Sequence, residues 1–152
     1  MSACPNAAAQ IVWRELYQRA RQAQRPRVLS PFAEAGGVGA ALLAADGSIY
    51  TGVCIDMACG LGICAERAAA AQMITCGQSR VLKLAVRMPD GQPGVPCGAC
   101  CEFLLQMDPE NGEAEVLLDP ENGHSVKLNS LAPNWWGKRR LPPASGQAGA
   151  AE

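Results

Sequence analysis

The chain has 152 residues, of which 49% are hydrophobic and 18% charged, and its formal net charge is −1. This length suits one domain with a well-formed core. The near-neutral charge and the 5% share of aromatic residues argue against nucleic-acid partners, which need a basic surface or stacking platforms. No apolar run has membrane-spanning length, and the first residues lack the pattern of a signal peptide. We therefore expect a cytoplasmic protein without membrane contact, whose eight cysteines stay reduced or bind metal.

The first half of the chain predicts one helix followed by a hairpin. Apolar residues recur at helical spacing over residues 6–24. Two apolar runs, residues 38–44 and 49–55, are too short for helices, and the Asp46-Gly47 turn between them predicts a β-hairpin. Residues 33–37 are Ala-Glu-Ala-Gly-Gly, and we expect them to form a flexible insert in front of the first strand.

The second half alternates helices and strands. The predicted elements are a loop at 57–62, a helix at 63–76, a strand at 81–88, a loop at 89–96, a helix at 97–107, strands at 114–119 and 124–128, and a short helix at 131–136. Gly77 is a natural C-cap for the first of these helices. The order predicts an α/β fold, a three-layer sandwich of a five-stranded mixed sheet with helices on both faces. Residues 1–137 form the single predicted domain, and the Pro-, Gly- and Ala-rich residues 138–152 are expected to be a disordered tail.

Two short cysteine blocks carry the predicted chemistry. Cys64 opens the block Cys-Ala-Glu, and Cys97 and Cys100 belong to Pro-Cys-Gly-Ala-Cys. Three thiolates can bind Zn²⁺ and leave its fourth tetrahedral position open, which distinguishes a catalytic zinc from a closed structural one. Glu66 lies two residues beyond the first ligand, too close to be an easy second ligand, but it can move protons at the open position. A first ligand, Glu two residues later and then Pro-Cys-x-x-Cys is the signature of zinc deaminases.

Both blocks lie at predicted helix N-termini, and this placement has a physical reason. A helix N-terminus favours negative charge and lowers the pKa of a thiol. Arg67, directly after Glu66, can hydrogen-bond the thiolates and add a positive charge. The alternative for Arg67 is an ordinary surface arginine beside a helix start.

Other interpretations of the cysteines stay open at this stage. A lone Cys-x-x-Cys also occurs in redox pairs and zinc ribbons. A structural four-cysteine site can be completed by Cys54, Cys59, Cys76 or Cys101. Glu66 can equally be a solvated helix residue. A structural zinc, however, gives no reason for an acid beside the first ligand or for a proline before the second pair, so the catalytic interpretation is favoured.

Residues 30–137 resemble the cytidine deaminase family in its short form with a single zinc motif. The blocks Cys64-Ala65-Glu66-Arg67 and Pro96-Cys97-Gly98-Ala99-Cys100 match its zinc motif. Four flanking segments are similar to the family's Ser-Pro-Phe, Val-Gly-Ala-Ala-Leu-Leu, hairpin and terminal Leu-Pro-x-x-Phe-Gly; they are residues 30–32, 38–43, 46–52 and 131–137. The zinc blocks are specific for the wider superfamily, and the flanking segments point to its nucleoside branch.

The resemblance implies a zinc-dependent hydrolase that acts on a cyclic amidine C–N bond. The implied reaction is the deamination of a cytosine nucleoside or nucleoside analogue to the uracil form, with release of ammonia, as in pyrimidine salvage. One Zn²⁺ per chain is bound by Cys64, Cys97 and Cys100, with Arg67 beside the thiolates. Glu66 carries a proton to N3 of the base.

The resemblance also implies how a small pyrimidine substrate is bound. The Ala65 N–H meets the base O2, and the Val95 carbonyl accepts a hydrogen bond from the 4-amino group. Phe32, Cys54 and Asp56 are the other implied substrate contacts. Family members of this length are typically homotetramers whose sites are completed by a neighbouring subunit.

We therefore expect a homotetramer with Trp135 or Trp136 buried at a subunit contact, because aromatic anchors are common at interfaces. Packing in the chain's own core is the alternative for each tryptophan.

The chain departs from the family where the sugar is bound. The family binds ribose with Asn-x-Glu, whereas this chain has Cys54-Ile55-Asp56, so a poor donor replaces an amide and the carboxylate is one methylene shorter. The insert at 33–37 lies in the segment that flanks the nucleoside, and Cys101 stands where Arg is common. A retained catalytic apparatus with altered sugar recognition also resembles the blasticidin-S deaminase branch, whose substrate carries a modified sugar.

Three functions follow, in order of preference. The first is deamination of a cytosine nucleoside or analogue. The second is the same chemistry on a modified-sugar cytosine antibiotic or a non-nucleoside aminopyrimidine. The third is a non-enzymatic zinc module, against which Glu66 and the open coordination position argue.

Overall fold

The structure is a computed structural model that describes the backbone of residues 7–141 and the side chains from Val12 onward. The helices are α1 (Ala7–Ala23), α2 (Ala65–Thr75), α3 (Gly98–Met107) and α4 (Leu128–Leu131), with 3₁₀ turns at Asn111–Glu113 and Lys138–Arg140. The strands are β1 (Arg27–Ser30), β2 (Ala33–Ala44), β3 (Ile49–Met57), β4 (Val81–Arg87), β5 (Pro93–Gly94), β6 (Glu115–Asp119) and β7 (His124–Lys127). None of the helices in this part of the chain has the length and apolar content needed to cross a bilayer.

A mixed sheet forms the middle layer. Its central strands lie in the order β3-β2-β4-β6-β7, and only the β4–β6 pair is parallel. These five strands are the ones the sequence predicts. The count of five is nevertheless wrong, because the short strands β1 and β5 pair with β2 and β4 and make a seven-stranded sheet. Both are too short to show an apolar alternation, and β5 consists of a proline and a glycine.

Helices cover both faces of the sheet, as predicted. On one face α1 packs Trp13, Leu16 and Ala20 against Ala41 and its neighbours. On the other face, α2 and α3 pack against alternate residues of the same strands, and this larger core contains Ala40, Leu42, Ala44, Ala69, Ala70, Met73, Leu84, Val86, Leu104, Leu105 and Val116. Adjacent residues of β2 therefore point to opposite helical layers, as the pleat of a strand requires.

The predicted flexible insert at residues 33–37 is not a loop. It forms the first part of β2 and pairs with β1 on one edge and β3 on the other. The register shifts between Ala35 and Gly39, so these residues form a bulge. Gly36 has φ +84°, and a Cβ there would lie 2.0 Å from the Arg25 carbonyl oxygen, so only glycine fits this approach to the end of α1. Glycine content, which suggests flexibility in a sequence, here permits close packing.

Asn111 anchors α3, the helix that carries the second cysteine block. This fully buried side chain accepts the Val81 N–H at 2.7 Å and donates to the carbonyls of Ser79 and Leu104 at 3.0 and 2.9 Å. The start of β4 is thereby joined to the last turns of α3. Sequence periodicity contains no signal for this network, because its members are separated by 7 to 32 positions.

The C-terminal elements differ from the prediction. The last short helix is α4, residues 128–131, rather than 131–136. Pro133 explains the difference, since proline has no N–H to continue a helix and disfavours helical backbone at the residue before it. A 3₁₀ turn at Lys138–Arg140 continues the described chain beyond the predicted boundary at 137. The remainder of the predicted tail, residues 142–152, lies outside the described residues.

Candidate metal and active site

Cys64 and Cys97 occupy equivalent positions at the starts of two helices. Each is the N-cap residue, with extended backbone angles and no side-chain hydrogen bond to its own helix. Their sulfur atoms therefore remain free for another role. Cys100 follows in the first turn of α3 and is buried. The spacing of three between Cys97 and Cys100 places both sulfurs on the same side of the helix start.

The three sulfurs converge. Sγ of Cys64 lies 3.8 Å from Sγ of Cys97, and the Sγ atoms of Cys64, Cys97 and Cys100 all lie within 4.8 Å of one another. Tetrahedral Zn–S bonds of about 2.3 Å require sulfurs about 3.8 Å apart, so the cluster fits zinc. Within the described chain, no fourth cysteine joins the cluster. Cys54, Cys59, Cys76 and Cys101 are free thiols outside it, which removes the interpretation as a structural four-cysteine site.

The electrostatics of the cluster also favour a cation. Burial and the nearby negative charge of Glu66 raise the pKa of the Cys100 thiol far above its ordinary value. Burial acts in the same direction on Cys97, but hydrogen bonds from Cys100 and Cys64 outweigh it and lower the pKa of the Cys97 thiol. The Cys97 and Cys100 thiols therefore do not ionise together by themselves. A divalent cation among them would stabilise all three thiolates.

Glu66 lies in the first turn of α2 and is only 4% exposed. Burial raises the pKa of its carboxyl, and its interactions with backbone, Cys100 and Arg67 offset this only in part. It is not the solvated helix residue of the alternative interpretation. A buried carboxyl with a raised pKa beside a metal cluster is suited to accept and return a proton.

Arg67 also faces the cluster. Its guanidinium donates to Sγ of Cys64 at 3.8 Å, and this hydrogen bond raises the pKa of the arginine. Its Nε is buried and has no hydrogen-bond partner within the described chain. The alternative of an ordinary surface arginine does not describe this position.

A cavity of about 370 Å³ opens beside Cys64. Its lining consists of Cys54, Asp56, Met57, Gly60, Gly62, Ile63 and Cys64. Two residues predicted to contact the substrate, Cys54 and Asp56, thus lie in one cavity with the first metal ligand. Phe32 lines a neighbouring cavity of about 360 Å³ that also contains Asp56 and Met57.

The other two predicted substrate contacts flank the cluster. Ala65 is fully buried at the start of α2, and Val95 is 49% exposed in the loop before Cys97. Neither lines the cavity beside Cys64.

The sequence did not reveal how the loop between β3 and α2 closes this cavity. Ile55 and Ile63 exchange two backbone hydrogen bonds of 2.9 Å, which fold the loop back onto β3. Gly62 permits this, because a Cβ there would lie 2.7 Å from the Ile55 carbonyl oxygen. Gly60 and Gly62 are the sequence signal for this close approach, but by themselves they predict only a loop.

Cys54 is engaged by the backbone of the neighbouring strand. Its sulfur accepts the Val38 N–H at 3.1 Å. A Cβ on Gly37 would lie 3.7 Å from the same sulfur, so the bulge of β2 packs directly against this side chain.

Three cysteines converge beside a buried glutamate, in a fold whose mixed sheet lies between helices. This arrangement defines a zinc-dependent hydrolase of the deaminase class. A scan against protein-family models found no match. The chain is 37% identical over 109 residues to the cytidine deaminase of Mycobacterium tuberculosis, and the aligned region covers 69% of this chain and 76% of that protein. It is 41% identical over 99 residues to the cytidine deaminase of Halalkalibacterium halodurans, and the aligned region covers 63% of this chain and 74% of that protein. The crystal structure of the M. tuberculosis enzyme matches with a TM-score of 0.68 at 31% identity, over 82% of this chain and 97% of that one.

This chain belongs to the cytidine deaminase family. The predicted family, the α/β sandwich and the zinc-dependent hydrolase class are therefore confirmed. Zinc as the cofactor is confirmed as well, with one three-cysteine cluster in the described chain to receive it.

Proposed function

We propose that this protein deaminates a cytosine nucleoside hydrolytically, giving the uracil nucleoside and ammonia. The observation that carries the proposal is the convergence of the Cys64, Cys97 and Cys100 sulfurs beside the buried carboxyl of Glu66. Relatives and a similar crystal structure named cytidine deaminase support the choice of base. A non-enzymatic zinc module gives no reason to bury an acid beside an open three-ligand cluster.

The roles of the residues follow from their positions. Cys64, Cys97 and Cys100 hold one zinc, and Arg67 hydrogen-bonds the Cys64 sulfur. Zinc, when bound, would act as a Lewis acid and lower the pKa of its bound water to about 7. The positive ends of α2 and α3 and the guanidinium of Arg67 offset the excess negative charge of three thiolates.

Glu66 moves the protons of the reaction. Water adds to C4 of the cytosine ring, and Glu66 accepts one proton from this water and delivers it to N3. The remaining hydroxyl proton goes to the 4-amino group, which leaves as ammonia while C4 becomes the uracil carbonyl. The low exposure of Glu66 keeps bulk water from competing for these protons.

The base and the sugar are bound by residues around the cluster. The Ala65 N–H faces the base O2, and the Val95 carbonyl accepts from the 4-amino group. Cys54 and Asp56 contact the sugar, since both line the cavity that begins at Cys64. Phe32 flanks the substrate, since it lines a neighbouring cavity together with Asp56.

One observation favours a second substrate class. The Cys54 sulfur already accepts the Val38 N–H, so this position offers a sugar hydroxyl no amide and no free strong acceptor. This position should therefore cost cytidine more binding free energy than it costs a free aminopyrimidine or a cytosine nucleoside with a modified sugar, of the kind found in blasticidin-S-like antibiotics.

We further propose a homotetramer working in the cytoplasm in pyrimidine salvage. Large apolar side chains are exposed next to the substrate cavities, with Phe32 71% and Leu61 84% accessible in the single chain. A neighbouring subunit would cover them. Free cysteines throughout the described chain fit a reducing compartment.

The test is ammonia release from a panel of cytidine, deoxycytidine, free cytosine, a cytosine antibiotic with a modified sugar and adenosine, with Glu66→Gln as the control. We expect release from at least one cytosine compound by the wild type, none from adenosine and nearly none from the variant. Wild-type protein loaded with zinc that released no ammonia from any cytosine compound would refute the function.

A further inference from the structure

Gln24, just beyond the end of α1, reaches the strand that borders the substrate cavity. Its Nε2 donates to the Gly37 carbonyl at 2.7 Å and to the Met88 carbonyl at 2.9 Å. Its Oε1 accepts a hydrogen bond from the guanidinium of Arg87. All the polar atoms of this amide are thus used to join the end of α1 to β2 and to the end of β4.

The Gly37 carbonyl and the Val38 N–H belong to one peptide group. They point in opposite directions, because the peptide bond is planar and trans. Gln24 holds the carbonyl side, and the Cys54 sulfur accepts the N–H at 3.1 Å on the other side. One peptide plane is therefore fixed between the Gln24 side-chain amide and the Cys54 thiol of β3, and the two hydrogen bonds polarise each other.

This peptide lies in the bulge of β2, where no regular strand pairing would hold it. The β2–β3 register breaks between Ala35 and Gly39, so the ladder gives this plane no orientation. The α1 side is rigid, because a Cβ on Gly39 would lie 2.2 Å from the Ala20 carbonyl oxygen. Gln24 and Cys54 are consequently the two groups that orient the plane.

We propose that Gln24 is a positioning residue that sets substrate affinity through Cys54. By fixing the Gly37–Val38 peptide, Gln24 keeps the Val38 N–H in its hydrogen bond to the Cys54 sulfur. The Cys54 thiol then acts towards the cavity as an S–H donor and not as an acceptor. Cys54 shares that cavity with Asp56 and Cys64. This inference rests on the proposed function, because it assigns the cavity to the sugar end of a cytosine nucleoside.

The test variant is Gln24→Glu. The new carboxylate keeps the shape of the side chain and its bond with Arg87, but it loses both donors and faces the Gly37 carbonyl with a negative charge. The matched control is Tyr17→Phe. The Tyr17 hydroxyl donates to the Gly91 carbonyl at 2.8 Å, so this variant also removes a side-chain hydrogen bond to a backbone carbonyl, but not one to the peptide beside Cys54.

Amide hydrogen exchange at Val38 is the readout that does not depend on activity. We expect Gln24→Glu to raise the exchange rate of the Val38 N–H at least about tenfold, since one hydrogen bond of the pair is lost and the other weakened. Tyr17→Phe should leave that rate unchanged. An unchanged rate in Gln24→Glu would refute the link between Gln24 and the peptide.

Steady-state kinetics on the best cytosine substrate is the second readout. We expect Gln24→Glu to raise KM about tenfold with kcat within about twofold, because binding and not proton transfer is affected. Tyr17→Phe should change neither constant. In a Cys54→Ala background, Gln24→Glu should no longer raise KM, because the residue through which it acts is absent.

The remaining outcomes separate this inference from the proposed function. An equal rise of KM with and without Cys54, or a loss of kcat with unchanged KM, would refute the route through Cys54 while the deaminase function stood. A wild type inactive on every cytosine compound would refute the function and with it the effect on substrate, even if Val38 exchange responded as expected.

Discussion

Gly52 of β3 lies against Ala69 of α2 so closely that a Cβ on Gly52 would stand 2.3 Å from the Ala69 backbone nitrogen. The same added atom would lie 2.5 Å from the Ala65 carbonyl oxygen. Strand β3 carries Cys54 and Asp56, and Cys64 is the N-cap of α2. The contact at Gly52 therefore helps to set the distance between the cysteine cluster and the Cys54 and Asp56 side of the cavity.

Gly52→Ala should destabilise the protein strongly. Its methyl group would meet the backbone of α2, which cannot rotate away as a side chain can. We therefore expect the free energy of unfolding to fall by about 1–3 kcal/mol. The measurement is the thermal midpoint together with zinc content. Gly98→Ala is the matched control, because a Cβ at Gly98 has no neighbour within 4 Å. Equal midpoints for the two variants would contradict the close contact.

Removing any of the three cluster cysteines should abolish stoichiometric zinc binding. The reason is that Cys64, Cys97 and Cys100 are the cysteines that form the cluster in the described part of the chain, and two sulfurs hold zinc far less tightly than three. Metal analysis of the Cys→Ala variants is the measurement, with Cys59→Ala and Cys76→Ala as exposed controls. Unchanged zinc in Cys64→Ala together with loss of zinc in Cys59→Ala would show a different ligand set.

Glu66→Gln should retain zinc and fold but lose about 10²–10⁴-fold in kcat. Glutamine has the shape of the buried glutamate but cannot accept and return a proton. Since burial disfavours the charged carboxylate, the thermal midpoint should stay the same or rise. Single-turnover kinetics with zinc content and midpoint measured on the same sample is the check. Near-normal turnover would remove Glu66 from the proton path.

The pair Cys54 and Asp56 should determine how well ribose is accepted. If Asp56 accepts a hydrogen bond from a ribose hydroxyl, Asp56→Ala should weaken cytidine kcat/KM by about 1.5–3 kcal/mol. The double variant Cys54→Asn with Asp56→Glu should raise cytidine kcat/KM, because it restores an amide and a longer carboxylate to the cavity. Efficient wild-type turnover of cytidine that neither change affects would show that the sugar is bound elsewhere.

The assembly should be a tetramer with a mass of about four times the 15.9 kDa of one chain. Trp135 packs against the chain's own core, whereas Trp136 is 60% exposed and donates from its indole nitrogen to Glu102, so Trp136 is the predicted subunit contact. Light scattering at micromolar concentration is the measurement, and Trp136→Ser should lower the mass. A monomeric wild type would contradict the prediction.

Sequence alone determined the parts of this protein that depend on near neighbours along the chain. The Cys-x-x-Cys spacing, the Glu two residues after Cys64 and the helix starts at both blocks involve separations of a few residues, where helix geometry fixes which side chains meet. The positions of α1, α2 and α3, to within two residues at each end, and the existence of the five central strands also followed from local sequence patterns, although β2 begins at Ala33 and not at Val38.

Only the tertiary structure decided which distant groups meet. The 3.8 Å approach of Cys64 and Cys97 spans 33 positions, and the exclusion of Cys54, Cys59, Cys76 and Cys101 from the cluster depends on where the fold places each of these thiols. The insert at 33–37 became a strand because β1 and β3 pair with it and Gly36 fits against Arg25. Such contacts depend on strand register and helix packing, which are properties of the whole sheet, and local sequence patterns do not encode them.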